Sequence, residues 1–156
     1  MLKEVLTFES SKEHYTADAC VVWCFDDRFY KLLKAFGKQE GFKNIDLVKV
    51  AGGAKALAGD PSPERDFLLN QIKTSIRLHG TRRVILMTHR DCGAYGGSKG
   101  FVGGGAGDGV DAERAQHETQ LTTAKDFVAG ELVTNGSIIP VDAYFADFDG
   151  LCKIGA

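Results

Sequence analysis

The 156-residue sequence predicts an α/β fold: a doubly wound, mostly parallel sheet of order 2-1-3-4 flanked by helices, with a candidate antiparallel C-terminal strand. Two observations predict it. Short apolar runs, Cys20-Val21-Val22-Trp23 and Val84-Ile85-Leu86-Met87 among them, read as buried strands. Stretches with apolar residues at helical spacing alternate with these runs. Such alternation implies parallel strands joined by right-handed crossovers. No linker or repeat interrupts the chain, so residues 1–156 are expected to form a single domain.

The elements follow in order. Residues before Asp18 are polar and weakly patterned, an arm or one short helix. Cys20 to Cys24 is the first strand. Asp26 and Asp27 can cap a helix from about Asp27 to Lys38, where their charge suits the N-terminal dipole end. Phe29, Leu32, Leu33 and Phe36 form its buried stripe, and Gly37 or Gly41 ends it.

Ile45 to Val50 is a second, buried strand, and a loop from Ala51 runs to Pro61. Ser62 caps the next helix, with Pro63 in its first position and Glu64 in its first turn. Leu69, Ile72 and Ile76 share one face, and Gly80 closes the helix. Val84 to Thr88 is the third strand.

Gly93 to Gly109 is glycine-rich and has no phosphate-loop pattern, so it reads as a flexible loop, with a lid as the functional alternative. Asp111 to Leu132 is a long helix with Leu121, Ala124, Phe127 and Val128 inward. Asn135-Gly136 is a turn, Ser137 to Phe148 a fourth strand, and Asp149-Gly150 starts a hairpin back through Leu151 to Ile154.

Composition excludes several classes. Apolar residues make up 44% and charged residues 26%, as in ordinary globular proteins. The net charge of -2 argues against nucleic acid or an acidic membrane as the main partner. Arg82-Arg83 reads as a solvated approach to a strand. No apolar run reaches the roughly 20 residues of a membrane span, and the first residues lack a signal-peptide core. A cytoplasmic location is expected, where four cysteines are ligands or buried thiols rather than disulfides.

The chemistry gathers at two strand ends. Cys24 ends the first strand, and His89 and Cys92 follow the third. In a doubly wound sheet the chain reverses between these strands, and ligand sites collect at their carboxyl ends. Two thiols and an imidazole are a zinc ligand set that leaves a fourth position open. Asp26 lies two residues from Cys24 and can orient an oxygen at that position. Arg28 can hold Asp26 off the metal by a bidentate pair that also keeps it ionised.

Each residue alone has a plainer reading. A lone cysteine is a buried thiol, a lone histidine a loop residue, and Asp26–Arg28 a salt bridge at a helix start. Their conjunction at two neighbouring strand ends is what points to metal. Cys20 faces the core, Cys152 is structural, and His14, His79 and His117 read as surface histidines.

The motifs Cys24-x-Asp26-x-Arg28 and His89-x-x-Cys92-Gly93, in that order, resemble those of the β-class carbonic anhydrases. Val48 to Gly53 looks like a degraded form of that family's segment after strand two, and Val141 to Gly150 like its last strand and turn. The resemblance implies one zinc per subunit held by Cys24, His89 and Cys92, with Asp26 and Arg28 as the catalytic dyad. It implies reversible hydration of carbon dioxide to bicarbonate by zinc-bound hydroxide. It also implies a homodimer or higher homo-oligomer. Two alternatives stay open: hydrolysis of carbonyl sulfide or carbon disulfide on the same zinc site, and a zinc-binding regulatory protein without turnover. Asp27 stands where the family usually has a serine, and Lys49-Val50 where it has arginine-asparagine.

Overall fold

A computed structural model describes residues 2–101, 109–134, 136 and 138–155. Among the described residues, five strands form one sheet of order β2-β1-β3-β4-β5. These are β1 (Ala19–Cys24), β2 (Ile45–Val50), β3 (Val84–His89), β4 (Val141–Asp147) and β5 (Gly150–Lys153). The first four run parallel, and β5 returns antiparallel to β4 through the expected hairpin. Helices α1 (Tyr30–Gln39), α2 (Pro63–His79) and α3 (Gly109–Thr134) flank the sheet.

All six residues of β1 and of β3 are buried, because helices cover both faces of the sheet. Strand periodicity sends Cys20, Val22, Val84 and Leu86 to one face, where Leu68 and Ile72 of α2 and Leu121, Ala124 and Val128 of α3 meet them. Val21, Trp23, Ile85 and Met87 go to the other, against Phe29 and Leu33, Phe36 of α1. Each such fully buried large side chain contributes about 1.5–3 kcal/mol.

Local chemistry sets the helix ends. Ser62 accepts from the Arg65 backbone N–H, Pro63 occupies the first turn, and Gly80 closes α2 at φ 56°. Gly41, at φ 72°, follows α1, while Gly37 lies buried within it. Several expectations change. The helix after β1 begins with a 3-10 turn, Asp27–Phe29, capped by Asp26. The span after Ala51 contains a 3-10 helix, Gly53–Ala58, and is not a plain loop. The fourth strand is confined to Val141–Asp147, behind Pro140.

Strand β2 is an edge strand and only half-buried, with Leu47 43% exposed. Arg83 is no solvated residue: it donates to Asp142, Glu40 and Tyr144. Residues before Asp18 form an arm without helix among the described residues. Within Gly93–Gly109, Gly93–Tyr95 and Ser98–Phe101 are 3-10 turns. Residues 102–108, where the loop or lid expectation also falls, lie outside the described residues, as do Ser137 and Asn135 of the expected strand and turn.

Candidate metal centre

Strands β1 and β3 are neighbours, so Cys24 and His89 end side by side. The turn after β3 brings back Cys92. The Cys24 and Cys92 sulfurs lie 4.0 Å apart, and both cysteines are free. One ligand atom from each of Cys24, His89 and Cys92 lies within 4.8 Å of the others, and all three residues are buried. Close packing at the switch point depends on Gly53 at φ 56°: a Cβ there would collide with the Met87 carbonyl oxygen and stand 3.1 Å from the Cys24 nitrogen.

His89 is oriented for ligation. Its Nδ1 lies 2.8 Å from the Arg90 carbonyl oxygen, which can only accept, so Nδ1 carries the proton. Nε2 is then a bare lone pair in the neutral ring. That atom is fully buried and has no hydrogen-bond partner among the described residues. Burial opposes protonation of the ring, but the neighbouring Cys24 sulfur, the Arg90 carbonyl and the Asp26 carboxylate outweigh it and raise the His89 pKa above its ordinary value. The Phe29 and Trp23 rings wall the imidazole at 4.7 and 5.7 Å.

The thiols differ in acidity. A hydrogen bond from Cys92, with smaller help from His89 and the Asp26 and Gly52 amides, outweighs burial and holds the Cys24 thiol well below its ordinary range. The Cys24 sulfur beside it, together with burial, pushes Cys92 up. By contrast, burial alone dominates at Cys20, whose thiol is pushed up to about 11. Cys20 is a core thiol, as expected. Two thiols, one already acidic, and a bare imidazole lone pair fit a borderline-soft divalent ion.

Asp26 and Arg28 form the anticipated pair at the mouth. Arg28 Nε donates to both carboxylate oxygens at 3.0 and 3.1 Å, and its Nη2 donates to Oδ2 at 2.7 Å. These bonds keep the Asp26 carboxyl below the usual carboxylate range despite partial burial. Asp26 Oδ2 lies 3.9 Å from His89 Nε2, so an ionised carboxylate faces the ligand cluster. Asp27 is exposed and turned out on the 3-10 turn.

Sequence reasoning missed a second tier of residues. Asp91, between His89 and Cys92, accepts from Arg28 Nη1 at 3.0 Å. Glu113 on α3 is fully buried and accepts from the Asp91 amide, from Ser98 Oγ and from Arg90. His117, expected at the surface, is also fully buried, packed 4.3 Å from the Tyr95 ring and 4.9 Å from Phe145. Burial pushes its pKa down to about 4, so the ring is neutral. A signal for both existed: Glu113, His117, Leu121, Ala124 and Val128 share one helical face. Of the other cysteine, Cys152 lies half-buried on β5 with Arg114 donating to its sulfur at 3.3 Å.

Solved structures share this fold. The β-carbonic anhydrase isoform I of Trichomonas vaginalis gives a TM-score of 0.58 at 16% identity, covering 95% of this chain and 87% of that one. The carbonic anhydrase of Streptococcus mutans gives 0.59 at 14% identity, covering 94% and 88%. A tetrameric β-carbonic anhydrase of Sordaria macrospora gives 0.56 at 12% identity, covering 91% and 82%. The architecture is therefore the β-carbonic anhydrase fold.

In sequence, an uncharacterized protein of Rickettsia conorii is 28% identical over 135 residues, 81% of this chain and 69% of its own length. One from Rickettsia bellii is 29% identical over 102 residues, 60% of each chain. The family model described as "Putative carbonic anhydrase" matches residues 14–141, which span both metal motifs, and the chain belongs to that family. No helix among the described residues is long and apolar enough to cross a membrane.

Proposed function

We propose that the chain is a β-class carbonic anhydrase, catalysing the reversible hydration of carbon dioxide to bicarbonate with one zinc ion per subunit. Cys24, His89 and Cys92 hold the zinc. The observation that carries the reading is the buried cluster of two sulfurs and one unpartnered imidazole nitrogen, within 4.8 Å of one another. When bound, zinc supplies Lewis acidity, bringing the pKa of a coordinated water to about 7.

The chain's own residues do the rest. The Arg90 carbonyl fixes the His89 tautomer and leaves Nε2 free to ligate. The acidic Cys24 thiol lowers the proton cost of binding a cation. Asp26, ionised and facing the cluster, accepts a proton in a hydrogen bond from the reacting water and orients it. Arg28 keeps that carboxylate ionised and off the ligand cluster. Phe29 and Trp23 keep the imidazole side dry and suit a small uncharged substrate.

The working form is a single-domain subunit of a cytoplasmic homodimer or higher homo-oligomer, with neither nucleic acid nor membrane as partner. Metal analysis of the purified protein, paired with a stopped-flow hydration assay, tests the reading. About one zinc per chain and hydration far above the buffer rate are expected. A zinc-replete sample with no rate above buffer would sink it, and hydrogen sulfide release from carbonyl sulfide or carbon disulfide would reassign the substrate.

A further inference from the structure

Arg28 is gripped from two sides. Asp26 takes Nε and Nη2. On the far side, Asp91 Oδ2 accepts from Nη1 at 3.0 Å and the Asp91 carbonyl accepts from Nη2 at 3.0 Å. Asp91 itself sits at φ 54°, and no other non-glycine residue among those described has positive φ. Aspartate tolerates this conformation better than most residues, and hydrogen bonds around it select it. Asp91 Oδ1 accepts from the Ser98 amide at 2.9 Å, and the Asp91 amide donates to Glu113 Oε1 at 2.6 Å.

Glu113 is the anchor of the arrangement. It is fully buried on α3, with Ser98 Oγ at 2.7 Å and Arg90 Nη1 at 3.2 Å on its other oxygen. Arg90 is tied in turn to Asp147, at the end of β4, by bonds of 2.5 and 2.6 Å. A continuous line of charge-assisted bonds therefore runs from the buried face of α3, through a left-handed turn, to the guanidinium over the site.

We infer that Asp91 is a positioning residue: held in its left-handed conformation by Glu113, it fixes Arg28 from behind and through Arg28 sets where the Asp26 carboxylate stands. The inference rests on the proposed metal-dependent reading of the site. Two features separate it from a mere turn. The carboxylate contacts Arg28 directly, and its own backbone carbonyl duplicates that contact. A turn residue held only for shape would need neither.

The test uses three full-length variants. Asp91→Gly keeps the left-handed backbone and removes the carboxylate. Asp91→Asn keeps the shape and removes the charge. Asp91→Ala removes the carboxylate and strains the backbone. In the Gly and Asn variants, kcat for hydration is expected to fall about 10- to 100-fold, the Gly variant losing more, with zinc content unchanged. KM stays within about twofold, because orientation is lost and not substrate binding.

The second readout needs neither metal nor turnover. In the wild type, rotation of Nη1, held by the Asp91 carboxylate, is hindered and gives Arg28 two separate Nη1 proton signals by NMR; these merge in the Gly variant, while Nη2 stays held by Asp26 and the backbone carbonyl. Unchanged kcat and unchanged Arg28 signals in both variants would overturn the inference. So would losses confined to Asp91→Ala, since backbone shape alone would then be at work. Should the wild type bind no zinc and hydrate nothing, the function proposed above fails, while the NMR comparison still decides what holds Arg28.

Discussion

The two ends of the sheet carry polar clusters of similar composition and opposite character. At the N-terminal end, Asp46 of β2 accepts from Tyr15 Oη at 2.7 Å, Ser75 Oγ at 2.6 Å and His79 Nδ1 at 2.7 Å. Ser75 spends its proton on Asp46, so the Thr81 hydroxyl, 2.5 Å away, donates to it. None of these side chains has a buried polar atom without a partner. A serine, a histidine and an aspartate meet here, yet Ser75 donates to the carboxylate and not to the imidazole. It is not activated as a nucleophile. The cluster ties the arm, β2 and α2 together.

At the C-terminal end the second tier is equally well bonded, but the atom it surrounds is not. Arg28, Asp91, Glu113, Arg90 and Asp147 satisfy one another, whereas among the described residues His89 Nε2, Thr88 Oγ1, Tyr95 Oη and both ring nitrogens of His117 have no hydrogen-bond partner; of these, His89 alone sets a ring nitrogen within 4.8 Å of two thiol sulfurs. Polar residues with every bond made stabilise a fold. An unpartnered buried atom alone marks nothing, but an imidazole lone pair set beside two thiol sulfurs is a donor set for an ion. Composition does not separate the two ends; hydrogen-bond completeness does.

Cys24→Ser breaks this contrast most strongly. Bound zinc is expected to fall to background and hydration to the buffer rate, while the urea midpoint of the metal-free protein shifts by less than about 1 kcal/mol equivalent. Zinc content, stopped-flow rate and denaturation measured on one preparation check it. A metal-free form that collapses would mean the site end also holds the fold together.

Gly53→Ala comes next. The added methyl meets the Met87 carbonyl between the two site strands, at a φ that disfavours alanine. A loss of about 2–4 kcal/mol is expected, together with weaker zinc binding, by urea titration and metal competition.

Asp46→Asn tests the opposite end and is expected to cost about 2 kcal/mol at neutral pH without altering hydration. Its pH dependence has a definite sign. Burial opposes the charged form, but bonds from Ser75, Tyr15 and His79 outweigh it and hold the Asp46 carboxyl below its ordinary value. A depressed folded-state pKa adds stability above the unfolded value of about 3.9, and that stability is lost as pH falls through the folded value. The gap between wild type and variant should therefore be constant near neutrality and close below about pH 4. A gap that widens in acid would contradict the network as drawn.

The residues show how far a sequence can be read here. The buried strands β1 and β3, the ends of α2 and the hairpin into β5 were legible because each depends on neighbours in sequence: apolar runs, Ser62 with Pro63, Gly80, Asp149-Gly150. Strand β2 misled, since an edge strand with one open side can carry the same residues as a central one. Arg83 and His117 misled for a related reason. A charged or polar residue reads as solvated until Asp142, Glu40 and Tyr144, or the rings of Tyr95 and Phe145, arrive from elsewhere in the chain.

By itself the sequence determined the strand–helix alternation, the placing of Cys24 and His89 at strand ends with Cys92 three residues on, and the local pair Asp26–Arg28, because periodicity and two- or three-residue spacing are short-range properties. The tertiary structure alone decided that Asp91 takes a left-handed turn against Arg28, that Glu113 is buried beneath it, and that the His89 ring and the Cys24 and Cys92 sulfurs converge within 4.8 Å. Those facts depend on which atoms of α3, the 3-10 turns and β4 come within 3 Å or so of the strand ends. Distances of that kind are fixed only when the whole sheet and its helices close-pack.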